Sequence, residues 1–204
     1  GCDINKSCKD LSFKDPRIEV IIGDVNSNKI KNKILSNNKH FDLIIDDGSH
    51  NSKDIIKSFL LYFPYLNNDG VYIIEDLHAS YWQNHDGGLF HPYSSISFLK
   101  KLVDIQNFNY WKINKKRKDF IKGILKNYNI HTIEKNLLNI QSIEFADSLC
   151  IIKKGKNIND NKFNKILVAG DIDNNKAKKL SQTFERVNDK GFMSQKKNIW
   201  SMIN

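Results

Sequence analysis

The chain has 204 residues, 40% of them apolar, and a formal charge of +9. That is enough for one domain with a real core, too short for two comfortable ones, and too apolar for a disordered chain. No apolar run of about 18 residues occurs, which excludes a membrane-spanning helix. Cys2, Cys8 and Cys150 are too few and too scattered for a disulfide framework or a zinc site.

A reduced, cytoplasmic setting follows as the expectation. Gly1–Ile4 is not a signal peptide, and a chain that starts at Gly1 reads as a piece of a longer one. The charge is unevenly spread. Residues 1–100 carry 11 Lys and Arg against 13 Asp and Glu, whereas residues 101–204 carry 21 against 10. The excess lies away from the motifs described below, so it is assigned to solvated helix faces rather than to a nucleic-acid surface.

Through residue 75, short β-branched runs alternate with helical patterns, the signature of βαβ units around a parallel sheet. Gly1–Ile4 is the tail of a strand, and Arg17–Ile22 is a second strand closed by Gly23-Asp24. Lys29–Ser36 is a short helix; Phe41–Ile45 and Gly70–Ile74 are buried strands. A helix from about Ser52 to Tyr65 joins these last two. Asn51 or Ser52 caps it, and Ile55, Ile56, Phe59, Leu60 and Phe63 form its apolar face. Asn67–Gly70 is the turn back to the sheet. Leu77–Tyr93 lacks periodicity and is a long functional loop. Ile96–Phe108 is helical and leads into the basic stretch Lys112–Lys118. Ile140–Phe145 and Ser148–Lys154 form an antiparallel hairpin. The division expected is a domain over 1–155 and a basic, polar extension over 156–204, partly ordered at best.

In an open α/β sheet, ligands bind beyond the carboxyl ends of the strands. Here those ends carry Asp3, Asp24, Asp46-Asp47-Gly48-Ser49-His50 and Glu75-Asp76, an acidic rim on four successive strands. If the last two strands are parallel neighbours, Asp47, Glu75 and Asp76 converge. Three ionised carboxylates need a counter-charge, most simply Mg²⁺, which prefers oxygen ligands. The alternative is that one or two of them cap the following helices. His50, three residues after Asp47, can take a proton from a hydroxyl acidified by the metal. His78, His85 and His91 compete for that role from the long loop. Tyr81 and Trp82, followed by Gly87-Gly88, suit a lid over a sugar or aromatic ring, or a pin for the loop.

FDLIIDDGSH, followed by YFPYLNNDGVYIIEDLHASYW, resembles the macrocin and mycinamicin sugar O-methyltransferases and the wider group that includes proteins named cephalosporin hydroxylase-like. The likeness runs from about Gly1 to Gly155 and includes GCDI, the GD after the second strand, and IEFADSLCIIKKG. The resemblance implies a Rossmann-like class I methyltransferase sheet, mostly parallel with a carboxy-terminal antiparallel hairpin. It further implies S-adenosylmethionine (SAM) as methyl donor and Mg²⁺ or another divalent cation at the centre. Carried over by position, Asp3 holds the SAM ribose, Asp24 lies near the adenine and Asp46 lines the cofactor side. Asp47, Glu75 and Asp76 match the metal carboxylates, and His50 matches the general base. The glycine-rich loop of such folds has no counterpart here. The sheet is therefore expected to lack its first strand and the following helix, and the chain as given to bind SAM poorly where its longer parent would be competent.

The function expected is metal-assisted methylation of a hydroxyl on a sugar, another small molecule or a glycan. A nucleic-acid methyltransferase and a non-catalytic binding domain of the same fold are the alternatives. A metal-dependent hydroxylase would need a two-histidine, one-carboxylate triad, and the rim offers carboxylates instead. A homo-oligomer is compatible with the sequence.

Overall fold

The computed structural model describes residues 1–11, 13–111, 113–132, 137–156 and 198–201. Two short strands, β1 (Cys2–Asp3) and β2 (Ile21–Ile22), pair in parallel as a small sheet. After α1 (Asn28–Asn37) comes the main sheet, built from β3 (Phe41–Asp46), β4 (Leu66–Ile74), β5 (Ile140–Ala146) and β6 (Leu149–Lys154) in the order β3-β4-β6-β5. β3 and β4 are parallel, joined by α2 (Ser52–Tyr62), while β6 is antiparallel to both of its neighbours. α3 (Ser95–Gln106) and the short α4 (Arg117–Phe120) and α5 (Lys122–Asn127) fill the interval before the hairpin. The result is the α/β sheet with a carboxy-terminal antiparallel hairpin that the periodicities imply.

The three longer helices, α1, α2 and α3, each start where the sequence supplies an acceptor. The Ser27 hydroxyl accepts from the Ile30 amide, the Asn51 carbonyl from the Lys53 amide, and Ser94 from the Ser97 amide. Asn51 is thus the cap of α2, leaving Ser52 free to face inward. Its hydroxyl accepts from the Ser95 amide at 2.9 Å, and the buried Ser80 and Ser95 hydroxyls bond to each other. α2 continues into a 3₁₀ turn at Phe63–Tyr65, where Pro64 cannot donate to an α-helical ladder.

α2 and α3 cover one face of the main sheet. Alternation places Tyr72, Ile74, Cys150 and Ile152 on that face, all fully buried against Phe59, Phe63, Phe98, Leu99 and Leu102. Phe59 lies at the centre, its ring 4.8 Å from Phe63, 5.4 Å from Tyr72 and 5.8 Å from Phe98. Phe59→Ala should destabilise the fold by about 3–5 kcal/mol, read as a lower denaturant midpoint at unchanged slope. On the opposite face, Leu43 and Ile45 are 52% and 53% exposed.

Several boundaries differ from the sequence expectation. Only Ile21–Ile22 of Arg17–Ile22 is a strand, paired with Cys2–Asp3. Asn67–Asp69 lies inside β4 as a looped-out irregularity: Phe41 pairs with Leu66, yet Leu43 pairs with Val71. Asp69 there has φ +65°, so the chain does turn at this point. In the basic stretch, Arg117 is buried with its guanidinium 4.0 Å from the Phe108 ring. Trp111 packs on Phe108 and Phe120, tying α4 to the end of α3. Part of this stretch is therefore packing material, while Lys112 lies outside the described residues. Nearly all of the expected 156–204 extension lies outside them too.

The two sheets are not hydrogen-bonded to each other. A cavity of about 470 Å³ separates them and runs along β3, from Phe41 to Asp46, Asp47 and Gly48, with Gly1 and Cys2 on its far wall.

Candidate active site

The four acidic groups lie at the carboxyl ends of β1 to β4, as strand polarity dictates. What the tertiary structure adds is which of them meet. Asp46 pairs with Ile74 at the ends of β3 and β4, and the Glu75 amide still donates to the Asp46 carbonyl at 3.0 Å. The next residues on each chain then turn toward one another. His50 Nε2 lies 3.9 Å from Asp47 Oδ1 and 3.7 Å from Asp76 Oδ2. One ligand atom from each of Asp47, His50 and Asp76 falls within 4.8 Å of the others. The half-buried Glu75 does not join this group of three.

Both His50 (φ +54°) and Asp76 (φ +53°) adopt the left-handed conformation. For residues with a Cβ this costs on the order of 1 kcal/mol each, and it turns both side chains off their strand-to-helix paths. The side chains of Asp47 and Asp76 are 61% and 50% exposed, that of His50 25%. This is an open, electronegative mouth beside a more sheltered imidazole.

The remaining residues of the rim divide. Asp3 and Asp24 each accept the amide two residues on, Asn5 at 2.7 Å and Asn26 at 2.8 Å, so one oxygen of each closes its own turn. Asp46 faces the cavity and accepts the Tyr72 hydroxyl at 3.1 Å. Burial pushes its carboxyl above the usual carboxylate range, against the pull of the Ser58 and Tyr72 hydroxyls and the Gly48 amide.

Of the rival histidines, His78 is the nearest, with Nδ1 3.9 Å from Asp76 Oδ1. The hairpin turn holds it from the other side: the Ser148 hydroxyl lies 2.6 Å from the same nitrogen, and the Ser148 carbonyl accepts the Leu77 amide. His85 and His91 are engaged within their own loop, by Asn84 and the Tyr93 amide. Trp82 packs edge-on against His78 and His85, and both Tyr81 and Trp82 remain largely exposed. The loop closes on itself, Gly87 donating to the Trp82 carbonyl and Gly88 to that of Ser80. A Cβ on Gly87 would run into the Ser80 carbonyl, which explains a glycine there.

Sequence reasoning missed Tyr72, Ser58 and Ser148. Tyr72 carried a faint signal, a phenol on the buried face of a strand where phenylalanine would pack as well. Ser58 and Ser148 carried none, because their partners are 14 and 70 residues away.

No family model matches the chain. Among curated proteins, it is 35% identical over 92 residues to 8-demethyl-8-alpha-L-rhamnosyl tetracenomycin-C 2'-O-methyltransferase of Streptomyces olivaceus, covering 45% of this chain and 24% of that one. It is 37% identical over 92 residues to mycinamicin VI 2''-O-methyltransferase of Micromonospora griseorubida, covering 43% and 23%. Over these stretches the chain is similar to sugar O-methyltransferases. It spans about a quarter of the length of these relatives. Among solved structures, MycE methyltransferase from the mycinamycin biosynthetic pathway, in complex with Mg and SAH, superposes with a TM-score of 0.60 at 25% identity, covering 78% of this chain and 37% of that one. The same enzyme with Mg, SAH and mycinamycin VI gives 0.59 at 23%, covering 82% and 38%. The chain thus shares the Rossmann-like fold of that methyltransferase.

Proposed function

We propose that this chain is the catalytic portion of a SAM-dependent, divalent-metal-assisted O-methyltransferase acting on a hydroxyl of a sugar. The observation that carries the reading is the meeting of Asp47, His50 and Asp76 at the ends of adjacent parallel strands. The donor set fits a hard cation: carboxylates from two strands supply charge and oxygen, and Mg²⁺ takes one or two such groups together with waters or substrate oxygens. Asp47 and Asp76 would hold the metal; Glu75, next to Asp76 but outside the group of three, is the further carboxylate proposed for it. Asp46, Asp3 and Asp24 would face the cofactor.

When bound, the metal would polarise the acceptor oxygen, and SAM would supply a methyl group activated by its positive sulfur, the S–CH3 bond breaking as O–CH3 forms and SAH leaving as the neutral thioether. His50 accepts the proton of the acceptor hydroxyl as that oxygen attacks, since an imidazole is the poorer ligand for Mg²⁺ and the better base. Tyr81 and Trp82 offer exposed ring faces beside the mouth for a sugar ring. Further support comes from relatives whose names specify sugar hydroxyls, and from the MycE complexes that contain Mg and SAH. We assign the activity to residues 1–155. No described helix is long and apolar enough to cross a membrane, and the free thiols of Cys2, Cys8 and Cys150 fit a cytoplasmic setting.

Calorimetric titration of S-adenosylhomocysteine (SAH), with and without Mg²⁺, into the full protein tests this reading. Saturable binding, followed by Mg²⁺-dependent transfer of labelled methyl to a glycoside, is the expected result. Absence of SAH binding under both conditions would remove the cofactor on which the reading depends.

A further inference from the structure

Tyr72 is fully buried, packed edge-on against Phe59, at a core position where phenylalanine would fill the same volume. Its hydroxyl therefore needs an internal partner, and it has two. It donates to Asp46 Oδ2 at 3.1 Å and lies 2.8 Å from the hydroxyl of Ser58, which is itself 5% exposed. Tyr72 donates to Asp46, and the Ser58 hydroxyl backs the Tyr72 oxygen from the other side. The three residues come from α2, β4 and β3. Their meeting depends on the register that sets Tyr72 beside Ile44, one alternation before Asp46.

The consequence falls on Asp46. With Oδ2 held from behind, the carboxylate has one rotameric freedom less. Its Oδ1 lies toward Gly48, 3.3 Å from where a Cβ on that glycine would sit, at the end of the cavity between the two sheets. A carboxylate oxygen fixed in that way suits a hydrogen-bond donor, such as a hydroxyl or an ammonium group, entering from the cavity.

We propose that Tyr72, backed by Ser58, is a positioning residue for the cofactor: it fixes Asp46 so that one carboxylate oxygen is presented to a donor group of SAM. The inference rests on the methyltransferase reading above. Tyr72 acts through Asp46 and spares the cofactor the cost of ordering that side chain.

The test is SAH titration into the full protein carrying Tyr72→Phe, Asp46→Asn, and both together, with thermal midpoints measured alongside. Loss of a hydrogen bond to a charged group should weaken SAH binding about tenfold in Tyr72→Phe. In the Asp46→Asn background, Tyr72→Phe should add little, because the residue through which it acts has already been changed. Ser58→Ala, which leaves the aromatic packing intact, should weaken binding about threefold and substitutes for Tyr72→Phe should that variant fail to fold. Equal SAH affinity in wild type and Tyr72→Phe, whatever the change in midpoint, would overturn the inference and leave the methyltransferase reading standing. Fully additive losses in the double variant would also overturn it. A wild type that binds no SAH would remove the functional reading, and this inference with it.

Discussion

Asp47→Ala should abolish Mg²⁺-dependent methyl transfer in the full protein at ordinary metal concentrations while leaving SAH binding in place. Asp47 lies on the loop after β3, its carboxylate 61% exposed and within reach of Asp76 and His50. Exposure makes a purely structural role small: no hydrogen bond from the Asp47 side chain to another part of the fold is seen among the described residues. Loss of a partner one shell removed from a metal typically costs about 10–100-fold in affinity, so loss of a direct charged ligand should cost at least that much. The apparent Mg²⁺ requirement should move up by two orders of magnitude or more. Asp47→Asn, which keeps an oxygen and loses the charge, should fall between the two. Turnover in the alanine variant that matches wild type at the same Mg²⁺ concentration would sink the metal assignment.

His50→Asn should lower kcat by about 10²–10⁴-fold, the usual contribution of a positioned general base. Asparagine is the informative replacement because His50 sits at φ +54°, a conformation that asparagine tolerates and alanine does not. Backbone strain then stays out of the comparison. The imidazole is the most sheltered of the three groups, 25% exposed, and lies within 4 Å of both carboxylates. Two roles are open to a nitrogen so placed, and the variant separates them. A base leaves metal and SAH affinities within a few-fold of wild type while turnover collapses. A metal ligand would instead raise the Mg²⁺ requirement as far as Asp47→Ala does, and that result would reassign His50. His78, the other imidazole beside Asp76, is the natural candidate should turnover survive the loss of His50.

Much of the site was legible because it depends on strand polarity. Once Phe41–Ile45 and Gly70–Ile74 are recognised as parallel strands, the residues that follow them must gather at one end of the sheet. The DDGSH and IED segments therefore announce themselves. The cap of α2, expected at Asn51 or Ser52 and found at Asn51, and the short hairpin turn, expected at Ala146-Asp147 and found at Asp147-Ser148, were equally local. The failures were of another kind. Arg17–Val20 has the composition of a strand, yet only Ile21–Ile22 pair in the small sheet, with Cys2–Asp3. The buried hydroxyls of Ser52, Ser80 and Ser95 read as polar surface, because a serine carries no mark of the partner that will satisfy it.

The sequence by itself determined the α/β class, the start of α2, and the acidic and histidine groups that strand polarity sends to the sheet's carboxyl edge. Each follows from periodicity or from contacts within a few residues. The tertiary structure alone decided that Asp47, His50 and Asp76 meet while Glu75 stays outside their group. It also set Tyr72 behind Asp46, and it packed Arg117 on Phe108 rather than leaving it in solvent. The physical reason is the same in the first two cases. These contacts depend on strand register and on left-handed turns after the strand ends, and both are fixed by the packing of the whole sheet against α2 and α3.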